Sequence, residues 1–158
     1  MESTIRPAIA GDAVGLRQLQ AALTEPAPQL LDAAITQLSA TDDTNTHSKA
    51  TSIQKGFTLL VSVDEADIAV GYLLAFTGET THIAELAVDP AYRREGRAKA
   101  LLATVIDQTT DPITVHVAVD NTAAIALYRS IGFQECARSD DRFEHAAGLT
   151  LRYPPAER

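Results

Sequence analysis

Between residues 82 and 108 the chain reads, in order, as an apolar strand, an Asp-Pro stop, a loop dense in arginine with a single glycine, and an amphipathic helix. The strand runs from His82 to Val88 and ends at Asp89-Pro90, where proline withholds a ladder donor and restricts the residue before it. The helix spans Gly96 to Gln108. A strand delivered straight into a helix start leaves the first-turn N–H groups without intrahelical partners, and the helix dipole is positive there. Such an end is an anion site. Gly96 removes a side chain where a phosphate would approach the backbone, and Ala98 is nearly as small. Arg93, Arg94 and Arg97 add positive charge to a chain whose formal net charge is −8. The segment has neither the three glycines of a dinucleotide-binding turn nor the Gly-Lys-Ser/Thr of a nucleotide P-loop. On residue types alone, a phosphate site and an ordinary surface helix start both fit.

The rest of the chain frames this segment as an α/β domain. Thr4 to Ile9 reads as a strand, and Gly11-Asp12 opens a helix with Asp12 as its N-cap. Val14, Leu16, Leu19, Ala22 and Leu23 form its apolar stripe until Pro26 and Pro28 break it. Leu30, Leu31, Ala34, Ile35 and Leu38 mark a second helix, and the polar stretch Thr41 to Lys55 reads as a loop. Phe57–Val63 and Ile68–Phe76 flank a polar turn and form a hairpin. Ile113–Val119 is a further strand. Asn121 caps a short helix that stops at Gly132. Phe133–Arg138 and Leu149–Tyr153 are the last strands. With 158 residues, one domain over residues 1–158 with a mixed, largely antiparallel sheet is expected.

Two segments carry a family resemblance. Val88-Asp89-Pro90-Ala91-Tyr92-Arg93-Arg94-Glu95-Gly96-Arg97-Ala98 resembles motif A of the GNAT superfamily of N-acetyltransferases, Arg/Gln-x-x-Gly-x-Gly/Ala, filled by Arg93, Gly96 and Ala98. Asn121, Ala123, Leu127-Tyr128 and Gly132-Phe133 resemble its motif B, in the same order. The resemblance is specific from about His82 to Phe133 and topological before that. It implies a GNAT-like sheet flanked by helices. It implies acetyl-CoA as cosubstrate, with its pyrophosphate on the loop amides from Arg93 to Lys99 and its pantetheine arm along Leu86, Ala87 and Val88. Asn121 and Tyr128 would complete that surface. It also implies Tyr128 as general acid, a role suited to a phenol that stays protonated at neutral pH.

The acceptor of such a reaction is an amine, and it must be neutral to attack. A lysine-type amine is neutral in roughly one molecule in 2,500 at pH 7, a cost of about 4.6 kcal/mol, whereas an α-amine costs about 1 kcal/mol. A base therefore matters most for lysine. The resemblance points to the strand bearing Leu86, which offers His82 and Glu85, with Glu79 nearby. Plain alternation puts His82, Ala84 and Leu86 on one face and Glu85 on the other, unless a bulge changes the facing. His82 is ranked first and Glu85 second. His47, His116 and His145 lack metal-ligand spacing, so no metal is expected.

Acidity disfavours nucleic-acid and anionic-membrane partners, and no apolar run approaches the roughly 18 residues of a spanning helix. The N-terminus does not read as a secretory signal. One cysteine, Cys136, read as a small hydrophobe in a strand, cannot form an internal disulfide. The expected setting is the cytoplasm. Small domains of this family often pair, so a homodimer is an expectation without an identified interface. Asp42, Asp43, Asp140 and Asp141 cannot be placed relative to the site from sequence. A noncatalytic acetyl-CoA-binding module is the alternative to an enzyme, and a different phosphate-binding α/β domain the third reading.

Overall fold

The computed structural model describes residues 4–23, 26–44, 53–54, 56–93, 95–140 and 147–153. Arg94, His47, Asp141 and His145 lie outside them. The elements run β1 (Thr4–Pro7), α1 (Ala13–Gln20), α2 (Pro28–Thr44), β2 (Ile53–Gln54), β3 (Phe57–Val63), β4 (Ala69–Phe76), β5 (Thr81–Val88), α3 (Arg97–Gln108), β6 (Ile113–Ala118), α4 (Thr122–Ile131), β7 (Gln134–Ser139) and β8 (Gly148–Tyr153). Short 3-10 turns precede α1 and α3. The sheet order is β1-β3-β4-β5-β6-β8-β7, with β2 added onto β3. Every pairing is antiparallel except β5 with β6.

Helices cover both faces, and each face is a core. On one, Leu16 and Leu19 of α1 and Leu31, Ala34, Ile35 and Leu38 of α2 bury against Leu59, Val61, Tyr72 and Leu74. On the other, Leu101, Leu102 and Val105 of α3 and Tyr128 of α4 pack on Leu60, Leu73, Ile83, Val115, Val117, Phe133 and Leu151. This explains why β3 and β4 are apolar almost throughout: a strand covered on both sides has no solvent face.

Several local expectations are corrected. Asp12 does not cap α1 with its side chain. Its carboxylate instead accepts from the Ile9 N–H at 2.9 Å and pairs with Arg6, closing the turn before the helix. Val14 and Leu30, assigned to the apolar stripes, are 69% and 40% exposed. The expected loop from Thr41 is helical to Thr44, and Ile53–Gln54 pair with Phe57–Thr58. Cys136 lies in a strand, as expected, but on an exposed edge, β7.

The site depends on one feature of the sheet. β5 and β6 are in register only from Thr81–Ile113 to Ile83–Val115. Beyond that, β5 continues along β4 to Val88 and β6 continues along β8 to Ala118. The two parallel strands therefore splay, and the facing edges of residues 84–88 and 116–118 carry no ladder between them.

Candidate active site

The splay opens a cleft of about 990 Å³. That lies at the upper end of the range of about 300–1,000 Å³ usual for ligand sites. Its lining includes Ala84 to Val88 of β5, Arg93 and Gly96 to Lys99 at the start of α3, His116 to Ala118 of β6, and Asn121 and Tyr128 of α4. Ala22 and Leu23, just after α1, also line it. Most of the residues singled out from the sequence thus meet around one opening.

The loop after β5 is built locally. The Asp89 carboxylate accepts from Ala91 N–H at 2.9 Å, and Asp89 N–H donates to Val70 O, so the strand end is tied to β4. Gly96 sits at the N-cap of α3 with φ +81°, a left-handed conformation that a side chain resists. A Cβ at Gly96 would meet no atom within 4 Å, so the space in front of it is open. The N–H groups of Arg97, Ala98 and Lys99 are the first of the helix and point out of its N-terminus into the cleft's rim.

The arginines divide their work. Arg93 Nε donates to Val88 O at 3.0 Å, which lays the guanidinium over the end of β5. Arg97 is committed elsewhere. Its Nη1 donates to Ser62 Oγ (2.9 Å) and Val63 O (3.1 Å), its Nε pairs with Glu95 (3.0 Å), and its guanidinium lies 5.2 Å from the Tyr92 ring centre. The expected charge contribution of Arg97 is therefore corrected: its side chain fastens the helix start to β3, and its backbone N–H faces the site. Lys99 is exposed at the rim.

On α4, the Asn121 side chain accepts from Ala124 N–H at 3.2 Å, and Gly132 ends the helix with φ +125°. Between them Tyr128 is 3% exposed, yet lines the cleft. Its ring meets Phe133 edge-on, with centroids 5.1 Å apart. Burial pushes the Tyr128 phenol above its ordinary value, so it holds its proton throughout the physiological range.

The facing of β5 differs from plain alternation. Leu74 pairs with Glu85 but Ala75 pairs with Ile83, so Ala84 is an extra residue, a β-bulge. Ala84 and Ala87 pack on the α1/α2 side, and Ile83 and Leu86 on the α3/α4 side. Glu85 joins the α1/α2 side, where Gln20 and Tyr72 reach it. The expected grouping of His82 with Leu86, opposite Glu85, is thereby corrected: the bulge resets the alternation.

The three basic candidates fare differently. Glu85 is 4% exposed, and its carboxylate accepts four hydrogen bonds. Gln20 Nε2 donates to both oxygens (3.0 and 2.9 Å), Tyr72 Oη to Oε1 (2.8 Å) and Ala27 N–H to Oε2 (2.6 Å). His82 lies outside the cleft lining, its Nδ1 2.9 Å from Thr114 Oγ1. His116, considered from sequence only as a metal ligand, lines the cleft. Its Nδ1 is 2.9 Å from Thr150 Oγ1, and its ring centre is 4.6 Å from that of His82. Its alternation with buried Val115 and Val117 was visible in the sequence; its neighbour across the parallel pair was not. Among the described residues no cluster of His, Cys, Asp and Glu suits a metal ion, and no helix is long and apolar enough to cross a membrane.

The residues fit the phosphates and amide-bearing arm of acetyl-CoA. A positive φ glycine with open space before it, the first amides of a helix and a strand edge past the end of its ladder with β6 are all present among the described residues. Comparison with known proteins agrees. The model of the Acetyltransferase (GNAT) family matches residues 19–133. A peptidyl-lysine N-acetyltransferase of Salmonella typhimurium is 36% identical over 99 residues, 61% of this chain and 65% of that protein. The Escherichia coli ribosomal protein bS18-alanine N-acetyltransferase is 44% identical over 54 residues, 32% of this chain and 36% of that protein. The chain thus spans less than two thirds of either relative. The Arabidopsis thaliana NAA60 structure in complex with acetyl-CoA superposes with a TM-score of 0.76 at 17% identity, covering 96% of this chain and 98% of that one; at that identity the likeness is one of fold.

Proposed function

Because this chain belongs to the GNAT acetyltransferase family, we propose that it is an acetyl-CoA-dependent N-acetyltransferase acting on a primary amine. The observation that carries the reading is the splay of β5 from β6, which brings the start of α3, an open strand edge and a buried phenol to one opening. Bound acetyl-CoA supplies an activated acetyl group, whose transfer forms an amide and releases a thiol.

The chain's own residues divide the remaining tasks. Amides of Arg97, Ala98 and Lys99 and the Arg93 guanidinium hold the phosphates. The free edge of Leu86 to Val88 orients the amide-bearing arm, and a backbone N–H there polarises the acyl oxygen. Tyr128 holds a proton at Oη for the departing sulfur. The amine enters from the opposite face, past Ala22 and Leu23. His116 is assigned the role of proton acceptor, because it lines the cleft on that face and its ring is fixed by Thr150 and His82. We prefer it to Glu85, whose carboxylate already accepts four hydrogen bonds, and to His82, which lies outside the cleft lining.

An α-amine with pKa near 7.8 needs only about 1 kcal/mol to become neutral at pH 7, against about 4.6 kcal/mol for a lysine-type amine. A peptide N-terminus is therefore the acceptor class best matched to this site, ahead of lysine. The E. coli relative's named substrate, an N-terminal alanine, is of that class, and the Salmonella relative's is not. A panel of peptide N-termini, peptidyl-lysines, polyamines and amino acids, followed by thiol release, tests the proposal. Turnover on peptide N-termini is expected. The saturated Glu85 carboxylate also favours a second reading, a noncatalytic acetyl-CoA-binding module; tight acetyl-CoA binding with no turnover on any amine would establish it.

A further inference from the structure

The structure assigns Glu85 a positioning role: its carboxylate is a clamp that holds Gln20, at the end of α1, and Ala27, just before α2, against β5 and so sets the acceptor side of the cleft. This rests on the proposed amine acetylation for its meaning, though not for its geometry.

The carboxylate gathers three separate parts of the chain. Gln20 belongs to the last turn of α1, Tyr72 to β4, and Ala27 immediately precedes α2. Ala22 and Leu23, which line the cleft, lie between Gln20 and Ala27. Gln20 on one side of Ala22 and Leu23, and Ala27 on the other, are thus pinned to one residue of the strand that also edges the cleft.

Gln20, Tyr72 and Ala27 are all used here as donors, and their four hydrogen bonds occupy both carboxylate oxygens. A proton taken from a substrate amine would have to displace one of these donors. For Gln20 Nε2 and the Ala27 N–H, neither of which can accept, the result would be a buried donor without an acceptor. The same chemistry that makes Glu85 a poor proton acceptor makes it a stiff anchor. The Ala84 bulge is what turns it toward α1.

The test uses the full chain and Glu85→Gln, which keeps the volume but sets an amide NH₂ among donors. Three readouts are taken. Amide hydrogen exchange at Ala27, without any substrate, is expected to accelerate by at least about tenfold. With a turned-over peptide amine, KM for the amine is expected to rise at least about tenfold while kcat changes by less than about threefold. The acidic side of the rate profile keeps its position. Gln20→Leu and Tyr72→Phe, each of which leaves the carboxylate in place, show the same pattern to a smaller degree and decide the matter should Glu85→Gln not fold. Unchanged Ala27 exchange overturns the clamp. So does a kcat loss beyond about 100-fold at constant KM with the acidic limb abolished, the signature of a general base. If no amine is turned over by the wild-type chain, the exchange measurement still decides the clamp, and only the acetylation reading fails.

Discussion

Phe133 donates its backbone N–H to the carbonyl of Tyr128 at 3.0 Å while its ring meets the Tyr128 ring edge-on at 5.1 Å. The phenol is therefore held from its own backbone and from its ring, and its hydroxyl is not needed to keep it in place. Tyr128→Phe is expected to lower kcat by about 100-fold or more, the usual contribution of a positioned acid. The dissociation constant of acetyl-CoA, measured by calorimetry, is expected to stay within about twofold. Equal turnover would remove Tyr128 from the chemistry.

Gly96 makes the sharpest binding test. At φ +81° any side chain is strained by about 1–2 kcal/mol. Gly96→Ala isolates that cost, since its Cβ meets nothing within 4 Å. Gly96→Glu adds bulk and negative charge in front of the helix-start amides. Acetyl-CoA affinity is expected to fall severalfold for alanine and by at least about 100-fold for glutamate. Equal losses for the two would mean that strain, rather than phosphate contact, governs the loop.

His116→Gln tests the proton acceptor. It is expected to lower kcat/KM for a peptide amine by about 10²-fold at neutral pH and to flatten the dependence of rate on pH across the acidic range. His82→Gln is expected to have a milder effect, since His82 lies outside the cleft lining and meets the His116 ring. A larger loss in His82→Gln would reverse the assignment.

Tyr128 also leaves a mark on stability. Burial raises its pKa in the folded chain above the value near 10 of an exposed phenol. Its contribution is therefore fully present below pH 10 and declines as pH rises from there toward the folded value. Between pH 10 and 11.5 the wild type should lose stability more steeply with rising pH than Tyr128→Phe does. Denaturant titrations of both chains across that interval measure the difference. Parallel slopes would mean that the phenol ionises freely while folded.

Arg97→Met separates anchoring from phosphate binding. The guanidinium's bonds to Ser62 and Val63 tie α3 to β3. The variant is expected to be destabilised by about 1–3 kcal/mol. Its acetyl-CoA affinity should change less than that of Arg93→Met, and a larger change would return Arg97's side chain to the phosphates.

The sequence made the loop before α3 legible because its geometry is local: Gly96, the helix start and the Asp89-Pro90 stop all act within ten residues. Asn121, Tyr128 and Gly132 were legible for the same reason. What alternation could not supply was the Ala84 bulge, since one extra residue leaves no trace in a period of two. That slip moved Glu85 to the side of Gln20 and Tyr72, and it undid the expected facing of His82 and Leu86. His116 was missed because only the parallel pairing of β5 with β6 carries it to the cleft. Arg97 was read as a charge, whereas its partners on β3 lie 34 and 35 positions away in sequence.

The gap between β5 and β6 has a thermodynamic consequence. Past Ile83 and Val115 the sheet forgoes the hydrogen bonds that would finish its middle. An amide-bearing guest laid along Leu86 to Val88, as proposed above, would restore part of them and so complete the fold as well as fill a site. Saturating cosubstrate should then raise the melting temperature, and a coenzyme fragment with the diphosphate but without the amide arm should fall short of that gain even at equal occupancy.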